Sequence, residues 1–240
     1  MIEIMHKHAE IEQYLMEQIQ EGTMKEGDRL ETEEELSRRF EVSRPTVRQA
    51  LRSLEQRGYL KRIKGSGTFV TEPKLLHTST SFIASYQREA EQQGHTVITQ
   101  VLSLEIVRGE EKICKKLGVK KNTSLYRMVR VRRIKECHHG APVVYTVVYI
   151  PVCSFPQMGD QDFTKTSLYD TLEKYGLRVC HVSKLLEVVP GDETVKEALE
   201  IGAWEPVIKV SSVGYLQNGE AVEYAESWYP AQSSQFLVEL

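Results

Sequence analysis

The sequence predicts an α+β protein of two units, a small helical one ending in a hairpin and a larger one built on an antiparallel sheet. Three observations carry this. Charge is unevenly placed: residues 1–35 hold 3 Lys/Arg against 11 Asp/Glu, residues 36–70 hold 9 against 2, and the rest is close to neutral in a chain of net charge −3. Within the first 70 residues, three helical stretches with apolar periodicity precede two short strands joined through glycines. Beyond residue 80, strand runs alternate with short capped helices, the pattern of helices laid on an antiparallel sheet.

Each element has a local cause. Ile11, Tyr14, Leu15, Gln18 and Ile19 recur at i, i+3 and i+4, so about 6–21 reads as an amphipathic helix that Gly22 ends. Thr32 with Glu35 makes a capping box for a short second helix that buries Leu36 and Phe40. Val42-Ser43 is a tight turn, and Ser43 caps a third helix with Pro45 in its first turn. Its apolar stripe is Val47, Ala50, Leu51 and Leu54. Pro45, Arg48, Gln49 and Arg52 face the other way, with Arg44 and Thr46 at the start. Tyr59–Ile63 and Thr68–Val70 are strands about the turn Lys64-Gly65-Ser66-Gly67. Helix, helix, turn, helix, basic hairpin is a winged helix-turn-helix, assigned to residues 1–70.

Residues 71–80, with Pro73 and no periodicity, read as a linker, and 81–240 as the second domain. There the expected helices are Phe82–Gln93, Glu110–Leu117, Leu168–Tyr175 (capped through Ser167 and Asp170) and Asp192–Ile201. The expected strands are 97–107, 125–134, 142–150, 178–189, 207–216 and 221–229, the last two flanking the hairpin signal Asn218-Gly219.

Composition narrows the class. The chain is 40% hydrophobic and 27% charged, ordinary for a protein that buries a core. No apolar run reaches the ~18–20 residues of a membrane span, and Met1–His8 lacks the apolar core of a secretory signal. Cys114, Cys137, Cys153 and Cys180 are dispersed without C-x-x-C spacing, which fits reduced thiols and a cytoplasmic location.

A positive block of this size is either a solvated charged face or an electrostatic footprint for nucleic acid, and residue order favours the second. The third helix fits a DNA major groove, where Arg44, Thr46, Arg48 and Gln49 reach base edges and phosphates, with Pro45 and Arg52 on the same side. Thr32, Ser43 and free helix-start amides suit phosphate oxygens. The wing, with Lys61, Arg62, Lys64, Gly65, Ser66 and Gly67, approaches backbone or minor groove. The alternative is a winged helix that binds protein instead. One reading helix covers few base pairs, so a homodimer on a palindromic double-stranded DNA operator is expected.

Asp28-Arg29-Leu30, Glu33-x-Glu35-Leu36, Val42-Ser43-Arg44-x-Thr46-Val47-Arg48-Gln49-Ala50-Leu51 and Gly65-x-Gly67-Thr68-Phe69-Val70 resemble the GntR family of bacterial transcription regulators. Arg130-x-Arg132, Pro142, Tyr149-x-Pro151, Ser167-Leu168-Tyr169 and Glu223-Tyr224-Ala225-Glu226-Ser227 resemble the UTRA effector-binding domain of its HutC branch, a domain similar to the chorismate lyase fold. The resemblance implies a ligand-responsive regulator, most simply a repressor. It also marks two departures. Glu34 stands where the family usually has a DNA-contacting arginine, and a carboxylate there repels phosphates or accepts from a cytosine amino group. Thr146 stands where many members have glutamate.

Strand parity adds to this. Arg130 and Arg132 project side by side from one face of strand 125–134, and Glu223, Ala225, Ser227 and Tyr229 share a face of the last strand. Two adjacent cations on an inner face are costly to bury unless an anion meets them; the alternative is surface arginines on an edge strand. By resemblance, Arg130, Arg132, Ser167 and Tyr169 hold an anionic group, Glu223 and Tyr229 hold polar groups of the ligand, and Phe82, Thr146 and Tyr149 complete the site. A phosphorylated sugar or amino sugar fits. A rival reading is an enzyme of chorismate lyase-like fold, separable by a turnover assay on anionic carbohydrates. No catalytic residue, cofactor or metal is expected: Cys137-His138-His139 lacks distant partner ligands, and neither G-x-S-x-G nor H-E-x-x-H occurs.

Overall fold

The computed structural model describes residues 2–71, 74–78, 96–135 and 140–237 and divides at Lys74/Leu75 into two compact units. The predicted helix at 82–93 lies outside the described residues, as do Phe82 and Cys137-His138-His139.

The first unit contains α1 (Ile2–Gln20), α2 (Glu33–Arg39), α3 (Arg44–Gln56), β1 (Leu60–Ile63) and β2 (Gly67–Val70). Its core joins Ile11, Leu15 and Ile19 of α1 to Leu36 of α2, to Val47, Ala50, Leu51 and Leu54 of α3, and to Leu60 and Val70 of the hairpin. These are the apolar positions that the periodicity selects. Thr32 caps α2 in a full capping box: Glu35 N–H donates to the Thr32 hydroxyl, and Thr32 N–H donates to the Glu35 carboxylate at 2.7 Å. The Thr32 N–H first, and then the Thr32 hydroxyl, donate to the Glu35 carboxylate and hold it below its ordinary range. A cap of this kind contributes about 0.5–2 kcal/mol. Ser43 caps α3, and Pro45 sits where its missing N–H is harmless.

The second unit is a six-stranded antiparallel sheet of β4 (Val97–Arg108), β5 (Ser124–Ile134), β6 (Pro142–Pro151), β7 (His181–Val189), β8 (Val207–Tyr215) and β9 (Ala221–Pro230). The strands lie in the order β4-β5-β6-β9-β8-β7. One face packs on α5 (Leu168–Lys174) and the 3-10 turn Pro156–Asp160 through Tyr126, Met128, Val148, Ile150, Phe155, Met158 and Leu172. The other face packs on α4 (Glu111–Leu117) through Leu125 and Tyr224, and on α6 (Glu193–Leu199) through Val129, Val131, Tyr145 and Val147. Because β6 is covered on both faces, its sequence reads as a nearly continuous apolar run.

The segment expected as a linker is partly structured. Leu75–Thr78 forms β3, paired in parallel with β10 (Ser234–Leu237), and buries Leu75 and His77. Four residues are too few for alternation to show, and parallel pairing to a segment some 160 positions away leaves no local mark in sequence.

Candidate functional site

Two groups of side chains stand out, one in each unit. In the first, α3 exposes Arg44, Pro45, Arg48, Gln49 and Arg52 along one side, and all of these but Arg44 line, with Glu12 of α1, an open groove of about 620 Å³. Thr46 is not on that side. It is 8% exposed, and its hydroxyl lies 2.8 Å from that of Ser43, so both hydroxyls serve the helix start rather than reaching outward. Thr32 is exposed, but its hydroxyl donates to Glu35 within the cap at 2.8 Å.

The exposed cations are ordered by carboxylates of α2. Glu33 accepts from Arg48 at 3.2 Å through one oxygen and from Arg62 of the wing at 2.9 Å through the other. Glu34 pairs with Arg44 at 2.9 Å. Glu33 thereby ties the exposed side of α3 to the hairpin. The sequence pattern missed this, because acid residues in a first helical turn are already explained by the helix dipole.

Lys61 and Lys64 are exposed on the wing. Gly65 and Gly67 turn it with φ of +80° and +128°, which only glycine adopts without strain. A side chain on Gly67 would also come within 2.8 Å of Arg29, whose backbone forms an isolated bridge to Phe69 of the wing.

In the second unit the register brings polar groups into one row. Arg130 of β5 pairs with Thr146 of β6, and Thr146 with Ser227 of β9. The Thr146 and Ser227 hydroxyls are 3.1 Å apart. Arg130 is 4% exposed, and its Nε and Nη1 have no hydrogen-bond partner among the described residues. Burial, and then the neighbouring Arg132, hold the guanidinium well below its ordinary range. Glu223, buried on the same face, accepts from the Tyr169 hydroxyl at 2.9 Å. Burial pushes the Glu223 carboxyl up, against the opposing pull of that bond and of Arg130; burial and Glu223 push Tyr169 up as well. Gly214 lies opposite Glu223, and a Cβ there would fall 2.9 Å from the carboxylate and force it to shift. Lys184 also acts electrostatically on Glu223.

The structure thus brings Arg130, Arg132, Thr146, Tyr169 and Glu223 to one region and adds Ser227 and Lys184. Ser227 was detectable from its parity with Glu223, whereas Lys184 required the β7–β8 register. Ser167 is buried as the α5 cap and accepts from Asp170 N–H at 3.4 Å. Tyr229 is on the expected face, packed against His77 and Phe236 at 4.7 and 5.1 Å between ring centres. Tyr149 is a correction. It is three residues from Thr146, hence on the opposite face, where it stacks on Tyr224 beneath α4 and raises the affinity of Arg127 for its proton. Among the described residues no cluster of three or more His, Cys, Asp or Glu is placed to hold a metal ion.

Residues 7–70 match the family described as bacterial regulatory proteins, gntR family, and residues 92–235 match the UTRA domain. The HTH-type transcriptional repressor NagR of Bacillus subtilis (strain 168) is 29% identical over 96% of this chain and 93% of its own length. The mannosyl-D-glycerate transport/metabolism system repressor MngR of Escherichia coli (strain K12) is 28% identical over 96% and 94%. The crystal structure of PhnF from Mycobacterium smegmatis superposes with a TM-score of 0.77 at 25% identity, covering 97% of this chain and 98% of that one. These relatives are regulators, so the rival enzyme reading has no support. The chain belongs to the gntR family of bacterial regulatory proteins with a UTRA domain as its second part, and is a DNA-binding transcription regulator, not an enzyme.

Proposed function

We propose that this regulator is a cytoplasmic, homodimeric repressor that leaves a palindromic operator when a small anionic metabolite, a phosphorylated sugar or amino sugar, enters the second domain. One observation carries the ligand class: Arg130 is buried beside Arg132, with two guanidinium nitrogens that have no hydrogen-bond partner among the described residues. A buried cation in that state is stabilised by an anion more than by any neutral group. Glu223 and Tyr169, already bonded to each other, offer polar contacts for hydroxyl or amino groups. The repressor direction is supported by the relatives NagR and MngR, and a sugar-derived ligand by the latter's name. The division at Lys74 supports a first domain close to residues 1–70, while the pairing of Leu75–Thr78 with β10 supports a second domain that starts at Leu75 rather than 81.

The test is a thermal-shift screen of phosphosugars, amino-sugar phosphates, carboxylates and their neutral parents, followed by operator release with each hit. A phosphorylated compound at 100 times its Kd should add about 2.7 kcal/mol of stability and release DNA over the same concentration range, while its neutral parent does neither. Shifts confined to neutral sugars would overturn the ligand class.

The wing supplies a separate expectation. Lys61→Ala and Arg62→Ala should weaken operator and unrelated DNA alike, each reducing the slope of log K against log salt by about one. A loss confined to the operator would instead make the wing a base reader.

A further inference from the structure

The sequence treats Glu34 and Arg44 as separate positions beside DNA; the structure joins them in an ion pair. Glu34 is in the first turn of α2 and Arg44 begins α3, so the pair sits where the exposed side of α3 starts. Its closest approach is 2.9 Å, and both side chains are 57% exposed. An exposed pair contributes only about 0–1 kcal/mol to stability. The two adjacent carboxylates are occupied: Glu33 bridges Arg48 and Arg62 with both oxygens, and Glu35 closes the cap of α2. Among the described residues Glu34 meets the first residue of α3, through one oxygen.

Chemistry restricts what such a carboxylate can do beside DNA. It accepts hydrogen bonds only, so phosphates and the O6 and N7 of guanine repel it, while the exocyclic amino group of cytosine suits it. Arg44 donates only, and matches guanine O6 and N7. A C·G pair presents those acceptors and that amino donor next to each other on its major-groove edge. A donor fork held 2.9 Å from a carboxylate is the complement of that edge. We propose that Glu34 and Arg44 act as one unit that reads a C·G pair in each operator half-site, Arg44 donating to the guanine and Glu34 accepting from the cytosine amino group. This rests on α3 being the helix that enters the major groove. It also implies an exchange, since the carboxylate weakens binding to DNA in general while excluding the wrong pair.

The test selects half-sites from a randomised palindromic duplex library with the full chain and with Glu34→Ala, Glu34→Gln, Arg44→Ala and Arg48→Ala. Affinities are then measured for the selected site and for its single-pair variants, with melting temperatures taken alongside. The unaltered protein should require C·G at one position by about 5–150-fold, the range that 1–3 kcal/mol of discrimination gives. Glu34→Ala should lose the preference at that position only, keep the others, and bind unrelated DNA more tightly. Glu34→Gln, whose amide oxygen still accepts, should retain part of the preference. If Glu34→Ala tightens binding to all sequences equally with selectivity unchanged, the carboxylate only repels and the proposal fails. It fails equally if the position lost is not C·G. Should Arg48→Ala also leave selectivity unchanged, the placement of α3 in the groove falls with it; should Arg48→Ala lose a different position, only the Glu34 proposal falls.

Discussion

Arg130→Met should give a protein that binds its operator normally, melts no lower than the unaltered chain, and no longer releases DNA in response to ligand. The three effects follow from one cause. Arg130 is 4% exposed, and two of its nitrogens have no hydrogen-bond partner among the described residues, so burying its charge is costly. Buried ion pairs replaced whole by apolar side chains of similar volume are often neutral or stabilising, by about 1–4 kcal/mol, and Arg130 forms no ion pair among the described residues whose partner its loss would strand. Glu223 loses a cationic neighbour in the exchange and its carboxyl, already raised by burial, is raised further. A group with a raised folded-state value contributes most below its unfolded value and loses that contribution as pH climbs through the folded one. The stability gain of Arg130→Met should therefore be larger near pH 5 than near pH 8. Ligand binding moves the other way, because the anion loses its buried partner. A ligand shifts a conformational equilibrium only through its different affinity for the two states; without that difference the operator complex persists, and in cells the repressor cannot be induced. Arg132→Ala should behave alike in release. Measured melting curves with and without the best phosphosugar, together with operator titrations, decide the matter. If both variants still respond at unchanged ligand concentration, the anion site lies elsewhere.

What the sequence discloses depends on how local the cause is. The caps at Thr32, Ser43 and Asp192 and the wing glycines act within four residues, and the helices and turns they define lie within a few residues of where the pattern puts them. The reach of Arg130 into an interior was legible from strand parity. Tyr149 was misplaced because a motif that joins it to Pro151 says nothing about which face it takes, whereas its distance of three from Thr146 does. The pairing of β3 with β10 and the nearness of Lys184 to Glu223 depend on contacts between distant segments. So does the bridge from Glu33 to both Arg48 and Arg62. A linear pattern cannot encode these, since each partner is locally unremarkable. Thr46 shows the opposite error: a polar residue between two arginines invites a functional reading, yet its register places it with Val47 in the core.

Arg48→Ala should cost about 1–3 kcal/mol in operator affinity and relax specificity at one position of each half-site. In the free chain Arg48 is held by Glu33 at 3.2 Å with 45% of its side chain exposed. A pair this exposed contributes at most about 1 kcal/mol, less than a bidentate contact to guanine, so DNA can draw the guanidinium away without compromising the fold. The same bridge also reaches Arg62, so Glu33 restricts where both cations point before DNA arrives. That pre-ordering lowers the side-chain entropy still to be lost on binding. The alanine variant should consequently melt within about 0.5 kcal/mol of the unaltered protein, as an exposed substitution does. It should keep most of its affinity for unrelated DNA, losing only the one unit of salt slope that any single cation supplies. Arg48→Lys is the sharper comparison: it preserves the charge but removes the planar fork, so it should restore the salt slope without restoring the base preference. Equal operator affinity for Arg48→Ala and the unaltered protein would remove Arg48 from the base-reading set, and an Arg48→Lys protein with full selectivity would show that charge alone, not the fork, carries the contact.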